Sequence, residues 1–239
     1  MKKHIVAAEA ALKKYDSRIR LTSGFIIASS LFIMLATLFV KLAREVREQN
    51  TAEFDRQVLL WINSGSVSWL DGVMPVLTNL GGFIGVIAAT AIAIGLLVLR
   101  RRYRLMTLVA ISVGGAAVLN ITLKAIFERQ RPDLWVQLVH ESGYSFPSGH
   151  AMASAALAFA VIAITWRRPG WHTWMIALMA AYITFVGFSR MYLGVHYPSD
   201  IVAGWLVSGA WVAVVTLILN TKLGRRTISN TDRRAVHLD

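Results

Sequence analysis

The 239-residue chain is predicted to be all-α: a polytopic integral membrane protein of six transmembrane helices, with an amphipathic segment lying in the interface between the first two. Three observations predict this. Hydrophobic residues make up 56% of the chain and charged residues 16%, with a mean hydropathy of +0.54. The apolar residues come in blocks rather than periodic stripes, and each block approaches the ~20 residues that a helix needs to cross hydrocarbon. The basic residues lie beside those blocks.

The predicted spans are Ser23 to Val40, Gly81 to Leu99, Leu105 to Leu123, Ala151 to Trp166, Trp171 to Phe188 and Ile201 to Leu219. The first follows a polar segment, residues 1–22, and lacks a small-residue cleavage site, so it reads as an uncleaved span. Lys and Arg are retained on the cytoplasmic side during insertion. Residues 1–22, the "RRRYR" turn at 100–104, "RRPG" at 167–170 and the tail 220–239 hold 17 of the 25 basic residues. Both termini are therefore expected in the cytoplasm of a multi-pass cytoplasmic (inner) membrane protein. Lys124, Arg129, Arg131 and Arg190 then fall on the periplasmic or extracellular side, against the charge rule, which asks for a functional reason.

Residues 41–80 form a long outer segment in which "FDRQVLLWINSGSVSWLDGVMPVLTNL" alternates apolar and polar residues, as an interfacial element does. Trp61, Trp69, Trp135 and Trp171 are expected in interface belts. "GGFIG" at 81–85 is assigned to packing within the chain. No repeat or linker divides the sequence, so residues 1–239 read as one membrane domain with a cytoplasmic N-terminal segment and a loose tail.

The net charge of +12 is explained by topology and anionic headgroups, so no nucleic-acid partner is assigned. The chain has no cysteine, which excludes disulfides, cysteine metal sites and thiol nucleophiles. Its oligomeric state is not legible.

Three polar clusters, "KAIFERQRP", "PSGH" and "SRMYLGVHYPSD", fall on one predicted face. Pro147 and Pro198 suit the first turn of a helix. A helix beginning near Pro147 points the N–H groups of Ser148, Gly149 and His150 at what binds there, and such an end favours an anion. Gly149 permits close backbone approach, the Ser148 hydroxyl adds a donor, and Lys124, Arg131 and Arg190 supply positive charge, which together describe a phosphate cage. His196 and Asp200 share a helix face four residues apart, so the carboxylate can take one imidazole N–H and leave the other nitrogen free to attack. His150, from another span, can reach the same phosphorus from the opposite side and protonate the leaving oxygen. The pattern is that of in-line phosphoryl transfer through a phosphohistidine. Two histidines and an aspartate could instead hold zinc, but a further neutral or anionic ligand is then needed and the neighbours are cationic. His4, His140, His172 and His237 are assigned to helix contacts or interface anchoring, Glu128 and Asp133 receive no catalytic role, and Arg129 is expected to contact a headgroup or to snorkel.

Lys124 to Pro132, Pro147 to His150 and Ser189 to Asp200 resemble the three signature motifs of the type 2 phosphatidic acid phosphatase superfamily, in its membrane-bound bacterial branch. The family pattern K-x6-RP, PSGH and SR-x5-H-x3-D is met at every fixed position and spacing. The resemblance implies His196 as nucleophile, Asp200 as its orienting partner, His150 as general acid and then base, and Lys124, Arg131, Ser148, Gly149 and Arg190 as phosphate ligands, with no metal and no cofactor. It implies hydrolysis of a lipid phosphate monoester or pyrophosphate, with undecaprenyl pyrophosphate, phosphatidylglycerol phosphate and phosphatidic acid as candidates. Three other readings stand beside it: a phosphotransferase that passes the phosphoryl group to a lipid or sugar hydroxyl, a lipid-phosphate transporter or binding protein, and vanadate-dependent oxidation as in soluble relatives.

Overall fold

The computed structural model describes residues 2–166 and 170–220; the side chains of residues 2–24 and of Phe83 lie outside the description. The assignments made above for His4, His237, the tail and residues 167–169 therefore fall outside the described residues. Those residues are all-helical, with no strand. The helices are α1 (Lys2–Arg47), α2 (Ala52–Ser64), α3 (Ser68–Leu77), α4 (Phe83–Leu99), α5 (Tyr103–Phe127), α6 (Gly149–Thr165), α7 (His172–Tyr192) and α8 (Pro198–Asn220), with a 3-10 turn at Thr78–Leu80.

All six apolar blocks are helical. Five helical stretches, Phe25–Arg47, Ser68–Leu99, Tyr103–Phe127, His172–Tyr192 and Pro198–Asn220, are long and apolar enough to cross a membrane, and Gly149–Thr165 is a shorter apolar helix. The outer segment, expected as one amphipathic element, is three pieces: α2, α3 and the 3-10 turn.

Helix α8 lies at the centre, packed on α1 and α6, while α6 also contacts α7 and α5, and α4 packs on α5. Composition explains this order. The sequence of α6, "GHAMASAALAFAVIAIT", is rich in alanine and serine, and without a hydrophobic force between helices in lipid, small side chains that let backbones approach are what hold them together. Ala151, Ala155, Ala156, Ala158 and Ala160 are all buried. By contrast α4 exposes Ile84, Ile87, Ile92, Leu96 and Leu99, and α1 exposes Phe25, Ile26, Ile27 and Ile33, as lipid-facing helices do. Val86, Val109, Leu157 and Ala160 join α4, α5 and α6, and Leu108, Val215 and Leu219 join α5 to α8.

The helix ends at one edge of this bundle carry the polar clusters. Helix α5 stops where Glu128 turns left-handed (φ 47°), its N–H returning to the Lys124 carbonyl at 3.1 Å, a common helix stop. Ser148 caps α6, its Oγ accepting from Ala151 N at 3.4 Å, and α8 starts at Pro198. The sequence expectation for both helix starts holds to within two residues. Between α5 and α6, residues 128–148 fold over the edge, anchored by Phe146, which meets Phe127 edge-on and stacks on Phe39 (centroids 4.8 and 6.2 Å).

Candidate active site

The first motif leaves Lys124 in the last turn of α5 and carries Arg131 over the mouth. Arg131 donates through Nη1 to the Val195 carbonyl (3.0 Å) and through Nε and Nη2 to the Gly143 and Ser142 carbonyls (3.0 and 3.1 Å). The Lys124 side chain makes no hydrogen bond or ion pair with the described residues, so its ammonium is uncommitted. The second motif is pinned from two sides. Asn120 Nδ2 on α5 donates to the Pro147 carbonyl at 3.0 Å, and the Ser148 N–H donates to the Asp200 carbonyl at 3.1 Å. This differs from the sequence expectation, which turned the Ser148 N–H toward a bound anion. The N–H groups of Gly149 and His150, in the first turn of α6, lack intrahelical partners by construction and stay available. The absent Cβ of Gly149 makes room for Asn120, whose Oδ1 lies 3.1 Å from where that atom would be.

The third motif places the most buried charge. His196, 1% exposed, sits in the turn between α7 and α8 with Nδ1 at 3.3 Å from Asp200 Oδ2 and Nε2 at 3.2 Å from Arg131 Nη1. A guanidinium can only donate and an ionised carboxylate can only accept. The two neighbours therefore fix one tautomer, with the proton on Nδ1 and the lone pair on Nε2. Burial, reinforced by the positive charges of Arg190, Arg131 and Lys124, pushes the His196 pKa well below the ordinary imidazole value, so the ring is neutral. His150 is also close enough to act electrostatically on it. His150 Nε2 would lie 3.0 Å from a Cβ at Gly82, so the "GGFIG" stretch packs within the chain as expected, with Gly82 against His150.

Arg190, also 1% exposed, donates through Nη1 to Thr78 Oγ1 (3.0 Å) and through Nη2 to Glu141, while its Nε is buried without a partner. An orphaned buried guanidinium donor is costly unless an anion fills the position. Glu141 reaches Arg131 as well, at 3.7 Å. Burial opposes its ionisation, but the charge and hydrogen bond of Arg190 outweigh this and hold the carboxyl below its ordinary value.

Sequence reasoning missed four participants. Arg129, expected to touch a headgroup or to snorkel, instead bridges two buried carboxylates: Nη1 donates to Asp200 Oδ1 at 2.6 Å and Nη2 to Asp55 Oδ2 at 2.8 Å. Asp55, on α2, is fully buried. Its signal was present, since Asp55, Leu59 and Ile62 form the buried stripe of that helix at helical spacing, and an acid on such a stripe asks for a partner. Glu141 and Thr78 carry no comparable signal. Trp135, expected in an interface belt, covers Gly194, whose backbone is left-handed at φ +71° and whose Cβ would meet the indole at 2.9 Å. Glu128 pairs with the Tyr144 hydroxyl at 3.1 Å rather than with Arg129.

Lys124 from α5, His150 from α6, Arg190 from α7 and Arg131 from the 128–148 segment thus all lie close enough to act electrostatically on His196, in the turn before α8. A cleft of about 510 Å³ opens beside it, lined by Arg131, Trp135, Gln137, His140 and Glu141 among others. Among the described residues no group of three or more His, Cys, Asp and Glu side chains is arranged to hold a metal ion.

Comparison with known proteins identifies the family. An undecaprenyl-diphosphatase of Sulfolobus acidocaldarius is 29% identical over 192 residues, covering 78% of this chain and 87% of that protein. Phosphatidylglycerophosphatase B of Bacillus subtilis is 37% identical over 143 residues, 57% of this chain and 69% of that one. The crystal structure of the first transmembrane PAP2 type phosphatidylglycerolphosphate phosphatase from Bacillus subtilis superposes with a TM-score of 0.70 at 28% identity, covering 77% of this chain and 93% of that one. The family model described as the PAP2 superfamily matches residues 103–223, the stretch that holds all three motifs, and the chain belongs to that superfamily of phosphatases.

Proposed function

We propose that this protein is a metal-independent lipid phosphate phosphatase that works through a phosphohistidine on His196. The observation that carries the reading is the buried neutral imidazole held as one tautomer between Asp200 and Arg131, with its lone pair facing a cluster of cations. Arg131 leaves Nε2 for a phosphate oxygen when the substrate enters; Lys124, Arg190 through its free Nε, and the Gly149 and His150 N–H groups take the others. Nε2 attacks phosphorus, the bond from phosphorus to the lipid oxygen breaks, and protonated His150 gives its proton to that oxygen. Asp200 stabilises the cationic ring. His150 then takes a proton from water, the hydroxide displaces His196 from phosphorus, and inorganic phosphate leaves with both histidines restored. Ser148 serves by capping α6.

The substrate is a lipid phosphate monoester or pyrophosphate, which fits relatives named for undecaprenyl diphosphate and phosphatidylglycerophosphate. In this reading the chain crosses the membrane six times with its more basic segments in the cytoplasm, so that both termini are cytoplasmic, the site is at the outer face of the cytoplasmic membrane and the α2–α3 segment lies in the interface, with residues 1–239 acting as one domain. The chain has no cysteine, so single labels read topology directly: Ser142→Cys is expected to react with an impermeant maleimide in intact cells while Arg101→Cys does not, and the reverse pattern contradicts the orientation.

The functional test is phosphate release by detergent-purified protein in EDTA from undecaprenyl pyrophosphate, phosphatidylglycerol phosphate and phosphatidic acid. Release that vanishes in His196→Ala is expected. Release that requires added zinc contradicts the metal-free mechanism, and release only with an alcohol acceptor turns the reading toward a phosphotransferase.

A further inference from the structure

We infer that Asp55 and Arg129 extend the His196–Asp200 pair into a four-member chain of alternating charge, in which Asp55 is a positioning residue for the nucleophile; this rests on the phosphohistidine reading above. Asp55 belongs to none of the three motifs and comes from α2, 141 positions before His196. It is 0% exposed. A carboxylate in such a place costs several kcal/mol unless it is fully paired, and this one is: Oδ1 accepts from Ser199 N at 3.0 Å, and Oδ2 accepts from Ser199 Oγ at 2.5 Å and Arg129 Nη2 at 2.8 Å. Arg129 then donates through Nη1 to Asp200 Oδ1 at 2.6 Å and to Ser199 Oγ at 2.7 Å, its guanidinium carbon 4.1 Å above the centre of the Tyr197 ring. Asp200 completes the chain, with Oδ2 taking Tyr197 N at 2.9 Å and facing His196 Nδ1.

The sequence of charges explains why a second acid is needed. Attack on phosphorus makes the imidazole cationic, and Asp200 is there to hold that charge. Paired with Arg129 alone, Asp200 would be neutralised just where a negative charge is required. Asp55 offsets Arg129, and the buried group as a whole keeps one negative charge beside His196. The same bonds fix the turn at Tyr197–Asp200, and so the direction of Nε2. A purely structural role, docking α2 onto the bundle, would need the contacts but not the charge.

Charge and docking are separable through pH. His196 is faced by Asp200 from α8, Arg131 from the 128–148 segment, Arg190 from α7, Lys124 from α5 and His150 from α6, with Arg129 and Asp55 acting through Asp200. The experiment measures kcat, KM and the acid limb of kcat/KM for phosphate release from the lipids above, using the full chain in detergent. Asp55→Asn is expected to lower kcat by about tenfold to a hundredfold, with KM within about twofold because Asp55 touches none of the phosphate-binding cations. Loss of a negative charge disfavours the imidazolium, so the acid limb moves down by about half to one pH unit; Arg129→Gln moves it up by a similar amount. The double variant Asp55→Asn/Arg129→Gln, which restores the single negative charge of the group, now on Asp200, brings the limb back toward its original position but keeps kcat about tenfold low. Wild-type kcat in Asp55→Asn, or a loss of rate with an unmoved limb, overturns the proposal. If Asp55→Asn does not fold, wild-type kcat in the double variant overturns it. An inactive His196→Ala beside a fully active Asp55→Asn refutes the role of Asp55 alone, whereas an active His196→Ala removes the nucleophile and this inference with it.

Discussion

Two arginine–carboxylate groups flank His196, and they are built differently. In the interior group, Arg129 lies between Asp55 and Asp200, and every oxygen of both carboxylates has a hydrogen-bond partner. At the mouth, Arg190 meets Glu141, a side chain 29% exposed on the 128–148 segment, and its Nε has no partner. A fully satisfied buried network is rigid and has nothing to gain from a ligand, whereas a partly satisfied one has donors to spare. On the proposed mechanism the interior group orients the nucleophile and the mouth group binds the phosphate. Glu141 contacts both Arg190 and Arg131, so on the proposed reading a phosphate competes with it for these two cations.

The sharpest break in this comparison is at His196, the proposed nucleophile. His196→Ala is expected to lower kcat by at least about a thousandfold, read as phosphate release. His150→Ala loses general acid–base help and falls by about a hundredfold or more. Arg190→Lys keeps the charge but removes the fork that offers Nε to the phosphate, so it is expected to lower kcat/KM by about tenfold to a hundredfold; the reverse exchange, Lys124→Arg, keeps the positive charge at a side chain with no hydrogen-bond partner to lose and is expected to cost less. Gly82→Ala puts a Cβ 3.0 Å from His150 Nε2 and is expected to reduce kcat by several-fold through a displaced ring, with the melting temperature nearly unchanged. Glu141→Gln frees Arg190 and Arg131 from competition. Inhibition by inorganic phosphate or vanadate is then expected to strengthen by a few-fold, and unchanged inhibition refutes the competition.

Stability gives an independent check. The folded protein keeps His196 neutral while the unfolded chain takes up a proton near pH 6.5, so the unfolded state binds more protons below that value. Stability is therefore expected to fall as the pH drops below about 6.5, and His196→Gln is expected to flatten that part of the profile. The measurement is the melting temperature in detergent from pH 7.5 to 5.

The apolar helices were legible because lipid leaves one solution for each long apolar block, a helix with its backbone bonded internally. The motif residues were legible because their spacings sit on turns and helix starts that Pro147 and Pro198 announce. Arg129 was not, since a basic residue at a membrane edge looks the same whether it meets headgroups or a carboxylate 74 positions away. Glu141 is likewise one acid among several in an outer segment. Asp55 stood closer to legibility, an acid on the buried stripe of α2, but its partners lay on the 128–148 segment and on α8. The Ser148 N–H was misdirected for a related reason: a helix start favours an anion in general, and here the nearest acceptor is the backbone of the neighbouring helix.

The most direct measurement of the central claim is to trap the intermediate. The His150→Ala protein, deprived of the base that activates water, is mixed with a lipid phosphate substrate carrying labelled phosphorus, quenched in alkali and digested. The mechanism predicts label in an acid-labile, alkali-stable linkage on the peptide that contains His196, and none in the His150→Ala/His196→Ala double variant. Label on another residue, or turnover with no labelled protein in either variant, contradicts it.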